Sequence, residues 1–308
     1  MDTTVAQWGD PVRTPRARKI RHRLHFRPAS HGRLCFPLPQ PDGYPIGTVD
    51  QPSALHAHRL TEAGFSHAFF TRCGGASDEP FDSLNFSIDV GDAPERVTRN
   101  LALAAEELGV DPDRILFLQQ VHGTTTHAVA PPFDRSESVV LQGDAVVARD
   151  PSVACSVRVA DCAPILLADR VTGTVAAVHS GWRGTQQNIV AHVVRFLREY
   201  AGRSLDLVAA VGPHIEPCCF EVGHDVAAQL SHASPVADTV LMGPRGRPHV
   251  DLRRILHAQL IEVGVRHEQI EHVRGCTVCD ARRFFSYRRD GKKSGRLMAS
   301  IVPRTFGQ

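Results

Sequence analysis

Short apolar runs separated by polar breaks set the rhythm of this chain, and the clearest pair lies at its centre. Residues 164–168 and 174–178 are apolar, and the break between them contains Gly173. This pattern predicts two buried strands joined by a tight turn. Further strands are expected at 66–70, 115–118, 144–147, 154–159, 207–211, 270–273 and 297–302. Pro94 opens a helix that runs to Leu108, with Val97, Leu101, Ala104 and Ala105 on one face and Gly109 as its stop. A second helix is predicted over 185–200, where Ile189, Val190, Val193, Val194 and Leu197 form one stripe. A third spans 252–263 and ends at Gly264. Phe220-Glu221-Val222 reads as the start of another helix, and 231–249 as a surface loop. Strands outnumber helices and include hairpins, and no fixed-period repeat is present. The expected class is α+β, a single mixed-sheet domain.

Residues 1–45 break this rhythm. They are rich in Arg, His and Pro and hold eight Lys/Arg against three Asp, which leaves the remainder of the chain net acidic. We read them as a disordered basic N-terminal extension preceding a folded part at 46–308. Basic arms bind nucleic acid through phosphates, but this one has few aromatics to stack on bases, so nucleic acid is not an expected partner. No run of about 18 apolar residues exists to span a membrane, and the N-terminus lacks the apolar segment of a secretory signal. The eight cysteines show no regular framework, so reduced thiols in a cytoplasmic protein are expected.

The central hairpin carries the first chemistry. Cys162 precedes its first strand and His179 ends its second, so antiparallel pairing brings a thiol and an imidazole to one sheet edge. His122 follows another strand, before a glycine. Two imidazoles and a thiolate suit Zn²⁺ with a fourth position open. Cys162 beside His179 equally suits a thiolate–imidazolium nucleophile, and these atoms serve either use. Arg183, in Gly181-Trp182-Arg183-Gly184 at a helix start, is an anion-binding candidate. Arg72, Arg288 and Arg289 are weaker ones. Cys276-Thr277-Val278-Cys279 has CxxC spacing but no second CxxC, and reads as structural or incidental. The adjacent Cys218 and Cys219 read as ordinary buried thiols. With no Walker loop and no GxGxxG, neither ATP nor a dinucleotide is implied.

Several of these residues fall in motifs that appear together and in order. They include Thr71-Arg72-x-Gly74-Gly75, Leu84-Asn85, Gln120-Val121-His122-Gly123, Asp144-Ala145, Ala160-Asp161-Cys162-x-Pro164 and His179-x-Gly181-Trp182-Arg183-Gly184. Gly212-Pro213-x-Ile215, Glu221-Val222-Gly223, Cys276-Thr277 and Phe285-Ser286-Tyr287-Arg288-Arg289-Asp290-Gly291 complete the set. Over about residues 50–305 the chain resembles the laccase-domain family, once called multicopper polyphenol oxidoreductases and now described as purine nucleoside phosphorylases. The resemblance implies one α/β domain, similar in fold to cysteine deamidase toxins, with zinc on His122, Cys162 and His179. It implies phosphorolysis of adenosine, inosine and 5′-methylthioadenosine, with adenosine deamination as a second activity. Arg183, supported by Arg72 or Arg288, would position phosphate. Tyr287 or Phe285 would stack on the base, and Asn85 and Gln120 would hydrogen-bond base or ribose. The alternatives are a cysteine-dependent hydrolase or deamidase, with Cys162 as nucleophile, and a copper-dependent polyphenol oxidoreductase. Copper is disfavoured because the chain has three Met and a single HxH pair, His56-Ala57-His58. The expected partners are a purine nucleoside and phosphate, in a monomer or homodimer.

Overall fold

Alternation along the central hairpin decides the layering. In the strand Ala163–Asp169, Leu166 and Ala168 belong to one apolar cluster, while Ala163, Ile165 and Leu167 belong to another. Both faces of this strand are therefore buried, which is why it reads as an unbroken apolar run. The computed structural model describes residues 52–202 and 204–305. The expected basic extension at 1–45 lies outside the described residues.

Two mixed sheets pack face to face. The first runs in the order Ala54–Leu55, His67–Phe70, Leu297–Ile301, Ala154–Val159, Ile115–Leu116. The second runs Ile270–His272, Leu207–Val211, Ala163–Asp169, Val175–Ser180, Ala145–Ala148, Thr126–Val129, antiparallel in its centre and parallel at each outer pair. Phe69, Cys155, Val157, Ala299 and Ile301 from the first sheet meet Val146, Leu166, Val175, Ala177 and Ala210 from the second. The helix Pro94–Leu108 covers the outer face of the first sheet through Val97, Leu101, Ala104 and Leu108. The helices Ile189–Ala201 and Leu252–Glu262 cover the outer face of the second. The result is four layers, helix–sheet–sheet–helix. Each fully buried Leu or Ile contributes about 1.5–3 kcal/mol relative to exposure, against about 1–2 kcal/mol per residue for ordering the backbone. A sheet buried on both faces can meet that cost.

The helix Pro94–Leu108 matches the expectation residue for residue: Pro94 sits in its first turn, and Gly109, at φ 73°, ends it in the left-handed region. Three expectations are corrected. The helix expected over 185–200 is two helices, Trp182–Gln186 and Ile189–Ala201. Asn188 adopts φ 54° between them, and its side chain caps the second by accepting from Ala191 N at 3.2 Å. Phe220 to Val222 does not start a helix. Glu221 bridges to His249 there, and the helix begins at His224. The loop expected at 231–249 contains the strand Val240–Met242, which pairs with Pro248–Val250 around a Gly243–Gly246 turn.

Candidate functional site

The hairpin register places the first two candidates. Pro164 lies opposite His179 and Ala163 opposite Ser180, so Cys162 stands at the hairpin's open end, next to His179. The turn at His122 reaches the same point. His122 holds φ 60°, a conformation rare for a side-chain-bearing residue, and Asp144 maintains it. The Asp144 carboxylate accepts from the backbone N–H of Val121 at 3.3 Å, His122 at 3.0 Å and Gly123 at 2.6 Å. It also accepts from His179 Nδ1 at 2.8 Å, while the Asp144 carbonyl accepts from His179 N at 2.7 Å. One buried carboxylate thus orients both histidines. Because Nδ1 is committed to Asp144, His179 turns Nε2 toward Cys162.

The ligand atoms of His122, Cys162 and His179 all lie within 4.8 Å of one another. His122 is exposed, Cys162 half-buried and His179 buried, so the cluster runs from surface to core. Burial alone would raise the Cys162 thiol, but the charge of His179 and hydrogen bonds from His122 and His179 outweigh it and bring it down to about 6. Burial alone would lower His179. The Cys162 charge and the Asp144 hydrogen bond reverse that and raise it to about 9. The pair is a thiolate beside an imidazolium near neutrality. Gly181 makes this closeness possible: a Cβ there would lie 2.8 Å from His122 Nδ1 and 3.0 Å from Cys162 Sγ.

This cluster forms one wall of a cavity of about 640 Å³. Gln120, Tyr287 and Arg288 line the same cavity, as expected residues of the site. The Gln120 amide is held by the Arg158 backbone: Nε2 donates to Arg158 O and Oε1 accepts from Arg158 N, both at 2.8 Å. Arg288 is held by its backbone N–H, which donates to Asp161 Oδ2 at 2.6 Å. Asp161, itself at φ 88°, also accepts from Thr277 Oγ1 at 2.6 Å.

Five expected residues do not line the cavity. Arg183 is exposed, and its guanidinium lies over its own Trp182 ring at 4.5 Å; Trp182 is the residue that reaches the cavity. Arg72 pairs with Asp82 at 2.9 Å and covers the Phe285 ring at 4.5 Å, and Phe285 is buried beneath it. Asn85 is buried and spends its side chain internally, donating to Ser87 O and Asp92 and accepting from Arg296 N at 2.8 Å. Its role is to position the Ser87 and Arg296 segments, which do line the cavity. Arg289 binds the carbonyls of Thr277, Val278 and Phe284.

Arg158 and Arg296 escaped the sequence reading. Arg158 is the one charge in the strand Ala154–Val159, otherwise buried but for that position, and a lone arginine in such a strand is the signal that could have found it. Arg296 directly precedes the closing strand, which hides it among exposed charges in the sequence. Burial lowers both guanidinium pKa values from the usual arginine range. Asp89 opposes this for Arg158, and Cys162, Tyr287 and Asp161 do so for Arg296.

Among curated relatives, a purine nucleoside phosphorylase of Deinococcus radiodurans is 40% identical over 252 residues, covering 81% of this chain and 94% of its own. One of Streptomyces coelicolor is 38% identical over 243 residues, 79% of this chain and 97% of its own. Among solved structures, the hypothetical protein YfiH of Bacillus licheniformis superposes with a TM-score of 0.76 at 29% identity, covering 85% of this chain and all of that one. YlmD of Geobacillus stearothermophilus gives 0.74 at 31%, covering 81% and 94%. The family model for multi-copper polyphenol oxidoreductase laccase matches residues 66–304. Every cavity residue, from Ser87 to Arg296, falls inside that span, and the chain therefore belongs to this family.

Proposed function

We propose that this protein is a purine nucleoside phosphorylase acting on adenosine, inosine and 5′-methylthioadenosine, with adenosine deamination as a second activity. The observation that carries the reading is that three arginines, Arg158, Arg288 and Arg296, share one cavity with His122, Cys162 and His179. The curated relatives named above as phosphorylases support it. Phosphorolysis joins a phosphate oxygen to the anomeric carbon of the ribose as the bond to the purine nitrogen breaks, and the base leaves with that electron pair and acquires a proton. The transition state is cation-like at the sugar. The protein's task is to hold an anion against it and to exclude competing water.

In this reading Arg158, Arg288 and Arg296 take the phosphate, since guanidinium forks match its oxygens. Tyr287 lies in the cavity wall with its ring within 5.9 Å of the Arg296 guanidinium, a place from which it stacks on the base. The donor set of two imidazoles and one thiolate, oriented by Asp144, fits zinc. When bound by His122, Cys162 and His179, the metal supplies Lewis acidity for the deamination. The family's copper label finds less support. His56 pairs with Glu107 at 3.3 Å and His58 with Glu62 at 3.2 Å, and neither joins the cavity. The test is incubation with each nucleoside, with and without phosphate, followed by chromatography. Free base and ribose 1-phosphate, or 5-methylthioribose 1-phosphate from 5′-methylthioadenosine, are expected only with phosphate; base release that ignores phosphate would overturn the proposal.

A second reading rests on one observation. Cys162, His179 and Asp144 stand in line as thiolate, imidazolium and orienting carboxylate, the arrangement of a cysteine hydrolase or deamidase. Release of ammonia from amides, without any nucleoside turnover, would favour it.

A further inference from the structure

Two cysteine pairs far apart in sequence meet behind the cavity. Cys218 and Cys219 come after the strand Leu207–Val211, and Cys276 and Cys279 after the strand Ile270–His272. Those strands are parallel neighbours, with His272 opposite Val211. Parallel neighbours deliver their downstream loops to the same end of the sheet. The pairing continues past the strands: Val273 N donates to Val211 O, His214 N to Gly275 O and Thr277 N to His214 O. A sequence separation of 58 residues thus closes onto a contact between Cys218 and Cys276. Cys276 and Cys279, expected as structural or incidental, thus join Cys218 and Cys219, expected as buried thiols and found half-buried, in one cluster. The CxxC has no second CxxC because its partner is an adjacent pair.

All four sulfurs lie within 4.8 Å of one another. The distances are 3.6 Å for Cys218–Cys276, 3.6 Å for Cys218–Cys279 and 3.3 Å for Cys219–Cys279. A disulfide needs about 2.05 Å. Four thiolates around a tetrahedral zinc, each at about 2.3 Å, stand about 3.8 Å apart. The surroundings suit a charged sulfur cluster. Backbone hydrogen bonds from Glu216, Val278 and Cys279 reach Cys276, and such bonds are the usual outer support of thiolate ligands. Arg288 donates to the carbonyls of Cys219 and Glu221, and Arg289 to those of Thr277 and Val278. From neighbouring positions on one helical turn, Arg288 thus holds the first loop and Arg289 the second.

We infer that Cys218, Cys219, Cys276 and Cys279 form a second, structural zinc site. It clips together the two loops that carry Phe220 and brace Arg288 at the cavity wall. Nothing in it depends on which reaction the cavity performs. All-sulfur tetrahedral coordination leaves no open position, so this ion holds structure and does not meet substrate.

The test measures metal on the full chain. In a His122→Ala/Cys162→Ala background, which disables the cavity cluster, about one zinc per chain should remain after dialysis. Adding Cys276→Ser and Cys279→Ser should remove it. Because those serines could unfold the loops, a second arm keeps all four cysteines and uses the His122→Ala/Cys162→Ala protein: titration with a mercurial thiol reagent should release its one remaining zinc to a colorimetric chelator as about four thiols react. A folded His122→Ala/Cys162→Ala protein without zinc would overturn the inference. So would iron in place of zinc, or a disulfide among these four cysteines in non-reducing peptide mass mapping.

Discussion

His122, Cys162 and His179 on one side and the four clustered cysteines on the other are both gatherings of metal-binding side chains, yet they are built to opposite ends. The first has three donors of two kinds, spans exposed to buried, and opens into a cavity lined by arginines. The second has four donors of one kind, drawn from two loops that have their own backbone ladder. Three mixed donors leave room for a ligand to react; four thiolates do not. The investment in orientation differs as well. The first cluster is organised by a single buried carboxylate, Asp144, with two residues near or at it, His122 and Asp161, in uncommon backbone conformations. Strain of that kind gathers where side chains must be aimed. The cysteine cluster contains no residue at positive φ; it is aimed by strand pairing and by the carbonyl contacts of Arg288 and Arg289.

The contrast can be broken most directly at Cys162. Cys162→Ala should abolish adenosine deamination and lower zinc by about one equivalent, with circular dichroism unchanged. Loss of activity with zinc fully retained would transfer the site to the cysteine-hydrolase reading. Asp144→Asn should be milder, reducing kcat and cavity-metal affinity by roughly 10–100-fold. Since Asp144 orients only the cavity cluster, zinc on the cysteines should be untouched, and a loss of both metals would show that the two regions are not separable. Arg158→Lys or Arg296→Lys should raise KM for phosphate about tenfold more than KM for adenosine. Arg183→Lys, exposed and off the cavity, should change either by less than about twofold by the same comparison.

Acid should sharpen the difference through stability. His214 and His272 lie at the cysteine end of the sheet. Burial, then the charge of Arg253, lowers both to about 3. The unfolded chain takes up these protons near pH 6.5, well before the folded one does. Stability is then complete above pH 6.5 and falls progressively toward pH 3, by on the order of 1 kcal/mol per pH unit for each histidine. Urea midpoints measured from pH 8 to pH 4.5 should decline below pH 6.5; a flat profile would mean that these histidines are not held neutral. The smallest effect expected is none: removal of residues 1–45 should leave kcat and KM unchanged, as every cavity residue lies beyond them.

How much of this could be read from the chain depends on where the information sits. The helix Pro94–Leu108 was legible because its stripe, its proline and its glycine agree. The juxtaposition of Cys162 and His179 was legible because a hairpin is local. Asp144 appeared only as part of a motif, since a carboxylate that organises three backbone amides and an imidazole carries no mark in the sequence. The clustering of the cysteines was not legible for a related reason: each pair is weak alone, and only parallel pairing of two distant strands joins them. Asn188 was overlooked because one polar residue scarcely weakens an apolar stripe, although its left-handed conformation splits the helix.

The strand Ala163–Asp169 is hydrogen-bonded to neighbours on both edges and packed on both faces. Its amides are therefore expected to exchange with solvent only when the whole domain opens, which native-state hydrogen exchange would check. Cys162 and His179 stand on this slowest-opening part of the molecule. Tyr287 and Arg288, across the cavity, sit on a single exposed helical turn, Tyr287–Asp290. The cleft thus sets a floor inside the doubly packed sheet against a wall built on one exposed turn, which Asp161 and the carbonyls of Cys219 and Glu221 hold in place through Arg288.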